Sequence, residues 1–488
     1  MIPNMTGRIR KRQNKRTALL FLTCSAGLFI AICLLTYMFD PLQYYRKASF
    51  YKPVFSTEER YQNPGLAKNY TYNTIIIGTS MTENFVPSYV DQQLGGETKT
   101  MKLSMKGSTS GEQSLIAKLA FDTGQVHKVI WGLDYFAFKG ADGETLSDMP
   151  MYMYDDSLFN DIKYLFNITN FTQIGKSIYH LATGGSANQQ SDLDYLNNWH
   201  IRSKYGAELI LNDWRKAKYK EQYFGLNEEP LQAIEANFNR NVLTYVKQHP
   251  ETEFMFFYPP YSVLRHEVWS ETNKQRYENQ FAFKEYVFQQ LSRYPNVKLY
   301  DFQSDEQITF NLDLYKDLSH HSQDINDRII QAMAAHDPRY LVTAQNVHAF
   351  NDQLKHEVDT VIISDRNEAF SFDVAVDGKP AHFTTIDFKG EEEALVPAKE
   401  VAQFLGMALN WDAAAKTAEL SNGDSDIKLT IQSREINVNG ASLSLHYAPE
   451  LKNGKTLVPL VSITKAAGGL STLESSPFHK ILNLTTSR

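Results

Sequence analysis

Cysteine is nearly absent from this chain of 488 residues: there are two, Cys24 and Cys33, and both lie in one apolar stretch near the N-terminus. The rest can form no internal disulfide, so an exported domain here is held by packing alone, which fits a bacterial envelope better than an animal extracellular space. Acidic side chains are missing from residues 1–16, which carry Arg8, Arg10, Lys11, Arg12, Lys15 and Arg16. The apolar run 18–38 that follows has the length a bilayer requires, and the positive-inside rule puts the basic tail in the cytoplasm and the bulk outside. A small-x-small cleavage pattern is also missing after the run, so an uncleaved signal anchor is expected, with a cleaved, secreted form as the alternative. Excess positive charge is absent beyond the tail: taking its six charges from the total of −7 leaves −13 for residues 17–488. That balance argues against nucleic acid as a partner.

The length suggests about three structural units. We divide the chain into a basic tail (1–16), an anchor (17–38), an irregular aromatic-bearing stem (39–69), an α/β domain (70–345), a linker (346–364) and a C-terminal module (365–488). Within the α/β domain, β-branched and aromatic runs predict strands at 73–78, 100–103, 128–131, 253–258 and 297–301. Helices are expected near 111–122, 231–248, 274–292 and 323–335. Such alternation specifies a parallel sheet covered by helices on both faces.

Ser80 ends the run Ile75-Ile76-Ile77-Gly78-Thr79-Ser80, which places it at the carboxyl end of a strand, where open α/β sheets put their sites. About 240 residues later comes Asp317-Leu318-Ser319-His320, before the last helix of the domain. A serine hydroxyl is a poor nucleophile at neutral pH; it needs an imidazole to take its proton and a carboxylate to fix the imidazole's tautomer. Ser80, His320 and Asp317 supply these three parts. Taken singly, Gly-x-Ser is a strand ending in a turn and Asp-x-x-His a cap or a solvated loop. An insertion at 135–227 is dense in aromatics, among them Tyr152, Tyr154, Tyr195, Trp199, Trp214, Tyr219 and Tyr223; they form either its own core or a lid whose rings stack on sugars. Tyr258-Pro259-Pro260-Tyr261 follows a strand, and Tyr135, Tyr258 and Tyr261 are expected at the acceptor pocket.

On these residues the domain resembles the SGNH hydrolase superfamily, in particular its membrane-anchored bacterial branch that includes teichoic-acid D-alanylation and alginate-acetylation proteins. Gly78-Thr79-Ser80 is similar to the first block, with Thr79 in place of aspartate. Gly107 fits the second block, and Asp317 with His320 the fifth. The resemblance implies a flavodoxin-like three-layer sandwich and an oxyanion hole from the N–H groups of Ser80 and Gly107. The third block departs: Gly132-Leu133-Asp134-Tyr135 puts Asp134 where the family has an asparagine donor. An ionised Asp134 at 4 Å would repel the oxyanion by about 4 kcal/mol at an effective dielectric near 20.

The last part repeats a frame. Leu395-Val396-Pro397 returns 62 residues on as Leu457-Val458-Pro459, each followed by an amphipathic helix, so an α+β duplicated unit is expected. Strands are predicted at 417–421 and 427–432, and Asn439-Gly440 signals a hairpin turn. With Gly406, Trp411-Asp412 and Asn453-Gly454, these residues resemble the copper amine oxidase N-terminal-like domain, a stalk of bacterial surface proteins. His382, His446 and His479 are scattered singly, whereas copper wants converging imidazoles. No metal, cofactor or oxidase chemistry is expected, and a spacer or wall-contact role is.

Three functions from different classes follow. The first is extracytoplasmic serine-dependent O-acyl transfer or ester hydrolysis on a cell-envelope polysaccharide or teichoic-type polymer, beside a multi-pass membrane acyltransferase that the resemblance implies. The second is a non-catalytic polymer-binding protein using the same cleft. The third treats His320, His321, Asp317 and Asp313 as a metal site, which leaves Ser80 without a role.

Overall fold

The β-branched run Thr74-Ile75-Ile76-Ile77 forms the first strand, β1 (Thr74–Ile77), of a sheet whose other members are β2 (Thr100–Lys102), β3 (Lys128–Gly132), β4 (Glu253–Tyr258) and β5 (Val297–Asp301). The computed structural model describes residues 5–139, 149–183, 191–224, 230–364, 366–389, 392–452 and 454–486. The strands run parallel in the order β2-β1-β3-β4-β5. In register, Ile75 faces Met101 and Val129, and Val129 faces Phe254. Alternate side chains point to opposite faces: Ile75, Ile77, Val129, Trp131, Phe254 and Phe256 enter one core, and Ile76, Ile130, Met255 and Phe257 the other. Since both faces are apolar, both are covered. Ser110–Phe121 and Leu231–Phe238 pack on the first, and Pro87–Leu94, Val263–Thr272 and Gln323–Ala334 on the second. The result is a flavodoxin-like three-layer α/β sandwich. The helix expected at 231–248 runs through a π turn at Asn239–Leu243 before resuming at Thr244–Gln248.

Residues 39–69 differ from the expected irregular stem. Helix α1 (Met5–Phe39) carries the apolar run, and its segment Asn14–Phe39 is long and apolar enough to cross a membrane, as a signal sequence near an N-terminus also is. The chain then turns at Asp40, whose φ is 45°; its carboxyl accepts the N–H groups of Tyr44 (2.9 Å), Tyr45 (2.9 Å) and Arg46 (2.8 Å) and the hydroxyl of Tyr164 (2.6 Å). α2 (Glu59–Asn69) follows and buries Leu66 beside Leu42 in the main core. Pro64-Gly65 looks like a helix breaker, yet both sit inside α2. Gly65 is required because a Cβ there would lie 2.1 Å from the Leu42 carbonyl oxygen.

The expected linker at 346–364 is mostly helix, Val347–Thr360, with Leu354 and Val358 buried against the second core. It leads into the C-terminal module, built of two antiparallel sheets and a mixed one. There Leu395, Val396 and Pro397 pair antiparallel with Pro459, Val458 and Leu457. The two copies of the repeated frame thus meet about the Val396–Val458 pair, each followed by its helix, Ala398–Leu405 and Leu460–Ala466. The predicted strand pair is Thr417–Ser421 with Asp426–Thr430. Asn439 and Gly440 have φ of 52° and 88°, as a two-residue hairpin turn of the primed type needs.

Candidate active site

Ser80 opens a single 3-10 turn, Ser80–Thr82, directly after β1 and Gly78-Thr79. The turn is tight: a Cβ on Gly78 would lie 2.6 Å from Thr82 Cγ2, and Gly78 has φ of 155°, so only glycine fits. At the same sheet edge the chain from Tyr315 to His321 folds back on itself through a β-bridge, which brings His320 over the serine. Ser80 Oγ lies 2.8 Å from His320 Nε2. His320 Nδ1 is 2.9 Å from each oxygen of Asp317, and Asp317 Oδ1 also accepts the N–H groups of Ser319 and His320 at 2.9 Å. Burial opposes ionisation of Asp317, but the hydrogen bonds and the charge of His320, with the two N–H groups, outweigh it and hold this carboxyl down at about 2. Asp317 is then an acceptor only, so Nδ1 carries a proton toward it and Nε2 is the ring nitrogen that faces Ser80.

Gly107 follows β2 with φ of 59° in a loop tied to the Ser80 turn: Met105 N–H donates to the Gly78 carbonyl at 3.0 Å. Among the described residues, neither the Ser80 N–H nor the Gly107 N–H donates to a protein acceptor. Asp134 has no hydrogen bond to the serine. Its carboxyl accepts the hydroxyl of Thr79 (2.6 Å), the hydroxyl of Tyr261 and the N–H of Phe136 (3.2 Å). It therefore caps the turn Tyr135–Phe138 and braces Thr79, the residue before Ser80. The three pocket tyrosines are not at the cleft. Tyr135, Tyr258 and Tyr261 are buried in the two cores, Tyr135 against Trp269 and Phe283, because an aromatic ring following a central strand gains more from packing than from solvent.

The cleft over Ser80 and His320 has a volume of about 420 Å³ and is lined by Phe55, Glu59, Lys106, Trp199, Arg202 and Lys316. Two of the insertion aromatics, Tyr195 and Trp199, line the cleft, and the second of them, Trp199, is bonded to the Ser80 turn. Its indole N–H donates to the Ser80 carbonyl (3.1 Å), its ring stands edge-on to His320 (5.6 Å between centroids), and Lys316 Nζ sits 3.7 Å from its centroid. Tyr154 is instead packed in the core, and Tyr219 is exposed. Beneath the rim, Glu59 and Glu83 are buried together. Burial and their mutual repulsion raise Glu83, while Lys106 stands 3.5 Å from Glu59. Lys102, fully buried and donating to the carbonyls of Glu83 and Phe85, is lowered to about 7 by burial. Sequence reading missed Lys106 and Lys316, although they adjoin Gly107 and Asp317. It also missed Phe55 and Glu59, which lie in the segment taken for a stem.

Residues 375–473 match the family model described as copper amine oxidase N-terminal domain. The chain carries a copper amine oxidase N-terminal-like domain. In the C-terminal module His479, just past the matched residues, bonds Asp373 at 2.8 Å and His446 packs on Tyr447; among the described residues no three His, Cys, Asp or Glu side chains gather as a metal site. No curated protein matches the chain. A solved structure from Streptococcus pneumonia, whose description proposes a platelet activating factor, aligns over 63% of this chain and 97% of its own, with 12% identity and a TM-score of 0.31. At that score the likeness fixes no shared fold.

Proposed function

We propose that this chain is an extracytoplasmic serine-dependent O-acyltransferase or esterase of the SGNH type, anchored in the cell membrane with its N-terminus in the cytoplasm. The single observation that carries the reading is the continuous hydrogen-bonded relay from Ser80 Oγ through His320 to Asp317. Ser80 Oγ attacks the ester carbonyl as its proton passes to His320 Nε2. The bond to the leaving alcohol breaks, and that alcohol takes the proton from Nε2. The acyl-serine is then attacked by a glycan hydroxyl or by water, with His320 acting as base a second time. Asp317 holds the imidazole's orientation and stabilises its charged form throughout.

The oxyanion is received by the N–H groups of Ser80 and Gly107. Asp134 supplies no third donor, and its carboxyl is taken up by Thr79, Phe136 and Tyr261, which favours a working, slower site over a disabled one. Lys106, Arg202 and Lys316 on the rim give the cleft a basic edge suited to an anionic envelope polymer such as a teichoic-type chain, despite the acidic balance of the molecule as a whole. A multi-pass membrane acyltransferase as acyl donor remains the partner this reading expects.

Labelling the detergent-solubilised full chain with a fluorophosphonate, read by intact mass, tests the reading. One adduct on the native chain that is lost in Ser80→Ala and in His320→Ala is the expected result. No adduct on a folded native chain would move the assignment to polymer binding.

A further inference from the structure

Helix α1 is not alone where it leaves the domain. Its face Phe29, Cys33 and Thr36 turns toward two helices of the insertion, Ile162–Leu165 and Ile168–Thr183, and the rings of Phe29 and Phe166 meet at 5.0 Å. That contact has a depth. If Arg16 marks one interface, a hydrocarbon core about 30 Å thick ends some 20 residues later, near Thr36, and Phe29 then lies about 10 Å beneath that surface. Phe166 must lie at a similar depth.

Its neighbours are of the same kind. Leu158 is 79% exposed, Phe159 98% and Ile168 79%, with Ile162 and Phe166 also open. Monomeric soluble proteins rarely leave such a contiguous apolar patch in water. Directly above it, Tyr37, Tyr44, Tyr45 and Tyr164 cluster ring against ring, and Arg46 lies over Tyr37 at 4.7 Å. Tyrosines and a basic residue at the end of a spanning helix are the composition of a membrane interface. Most polar groups of the segment have protein partners or reach outward: Asp161 is buried and accepts from Tyr44 (3.4 Å), Asn160 donates to Asp155 (2.7 Å) with its Oδ1 buried and unpartnered, Asn167 donates to Tyr152 (3.4 Å) and accepts the Thr169 N–H (2.8 Å), and Lys163 is exposed with a stem long enough to reach the headgroups.

We propose that residues 158–168 dip into the leaflet on the domain's side, with Leu158, Phe159, Phe166 and Ile168 against lipid chains. The proposal rests on reading α1 as a retained membrane anchor. The domain is thereby seated on the bilayer at two points, α1 and this hairpin, joined by the Asp40 turn, so the cleft is held at a fixed height and orientation over the membrane.

The test uses the full chain with Cys24→Ser and Cys33→Ser, reconstituted in phosphatidylglycerol–phosphatidylcholine vesicles. A polarity-sensitive dye is placed at Phe159→Cys, at Leu28→Cys in the helix and at Tyr219→Cys on the domain, all exposed positions whose replacement disturbs no core. Doxyl-labelled lipid should quench the dye at 159 as strongly as at 28, and leave the dye at 219 bright. Quenching at 28 with none at 159 overturns the proposal and assigns the patch to a protein partner instead. No quenching at 28 shows that the anchor reading itself fails, and the proposal with it.

Discussion

Replacing Asp134 by asparagine separates two roles for this position. If Asp134 stands where an oxyanion donor is missing, Asp134→Asn supplies an amide N–H and should speed the chemistry, since one such donor is worth on the order of a hundredfold in rate. The geometry points the other way. The Asp134 carboxyl, 7% exposed, receives three hydrogen bonds, from Thr79 Oγ1, Tyr261 Oη and the Phe136 N–H. An asparagine has one acceptor oxygen for those donors, and its NH2 would face a hydroxyl. At least one buried donor is left unpaired, which costs about 1–3 kcal/mol. For a domain of this size about 2 kcal/mol lowers Tm by roughly 4–8 °C. Because Thr79 immediately precedes Ser80, slack at Thr79 displaces Ser80 Oγ, and about 1.4 kcal/mol of lost positioning is a tenfold drop in rate. Thermal unfolding and fluorophosphonate labelling rates of Asp134→Asn should therefore both fall. A labelling rate that rises tenfold or more, or an unchanged Tm, would refute the assignment of Asp134 as a brace.

Asp317→Asn should slow acylation by about 10³–10⁴, because the amide favours the wrong imidazole tautomer. It should also remove an acid-sensitive contribution to stability: the carboxyl is depressed from 3.8 to about 2, so its contribution is present above about pH 4 and lost as pH falls toward 2. That contribution is about 2.4 kcal/mol by linkage, and about 1–1.5 kcal/mol after screening of a side chain one-third exposed; urea unfolding at pH 3 and pH 7 reads it. Trp199→Ala, which loses the bond to the Ser80 carbonyl and the edge contact with His320, should cost about tenfold in labelling rate with little change in Tm. Glu83 is raised by burial and by Glu59, so its charging penalises the fold increasingly as pH rises from 4.5; Glu83→Gln should be more stable than the native chain at pH 8 and no more stable at pH 4, by thermal unfolding. In the C-terminal module Glu393 accepts Val461 N–H (2.8 Å), Ser462 N–H (3.0 Å) and Ser462 Oγ–H (2.7 Å). Glu393→Ala should destabilise that module by about 2–4 kcal/mol, seen as earlier proteolysis of residues beyond 365.

The sheet was legible because its strands are short β-branched or aromatic runs bounded by polar turns, and burial on both faces follows from runs such as Ile75-Ile76-Ile77. The Ser80, His320 and Asp317 positions were legible for a related reason: they fall in two short motifs, one directly after a strand and one just before a helix. What surrounds them was not. Phe55, Glu59, Trp199 and Arg202 reach the cleft from segments far away in sequence, and no local pattern encodes that meeting. Pro64-Gly65 concealed a helix because the glycine is there for close approach to Leu42 and not to end anything. Tyr258 and Tyr261 flank two prolines at the correct edge, but their rings turn inward, where Lys284 and Asp134 receive them. Asp134 was recognised as the departing residue in its block, while its hydrogen-bond partners Thr79 and Tyr261, 55 and 127 residues away, emerge only from the fold.

The central claim is that Ser80 forms a covalent acyl intermediate. The most direct measurement is acid-quench trapping: the full chain is mixed with an aryl acetate, stopped within the first turnover, and its peptides are read by mass spectrometry. The account predicts one acetyl group on the peptide containing Ser80, absent in His320→Ala and accumulating in step with a burst of released phenol. Phenol release with no acetyl group on Ser80, or an acetyl group that persists in His320→Ala at the native rate, would contradict it.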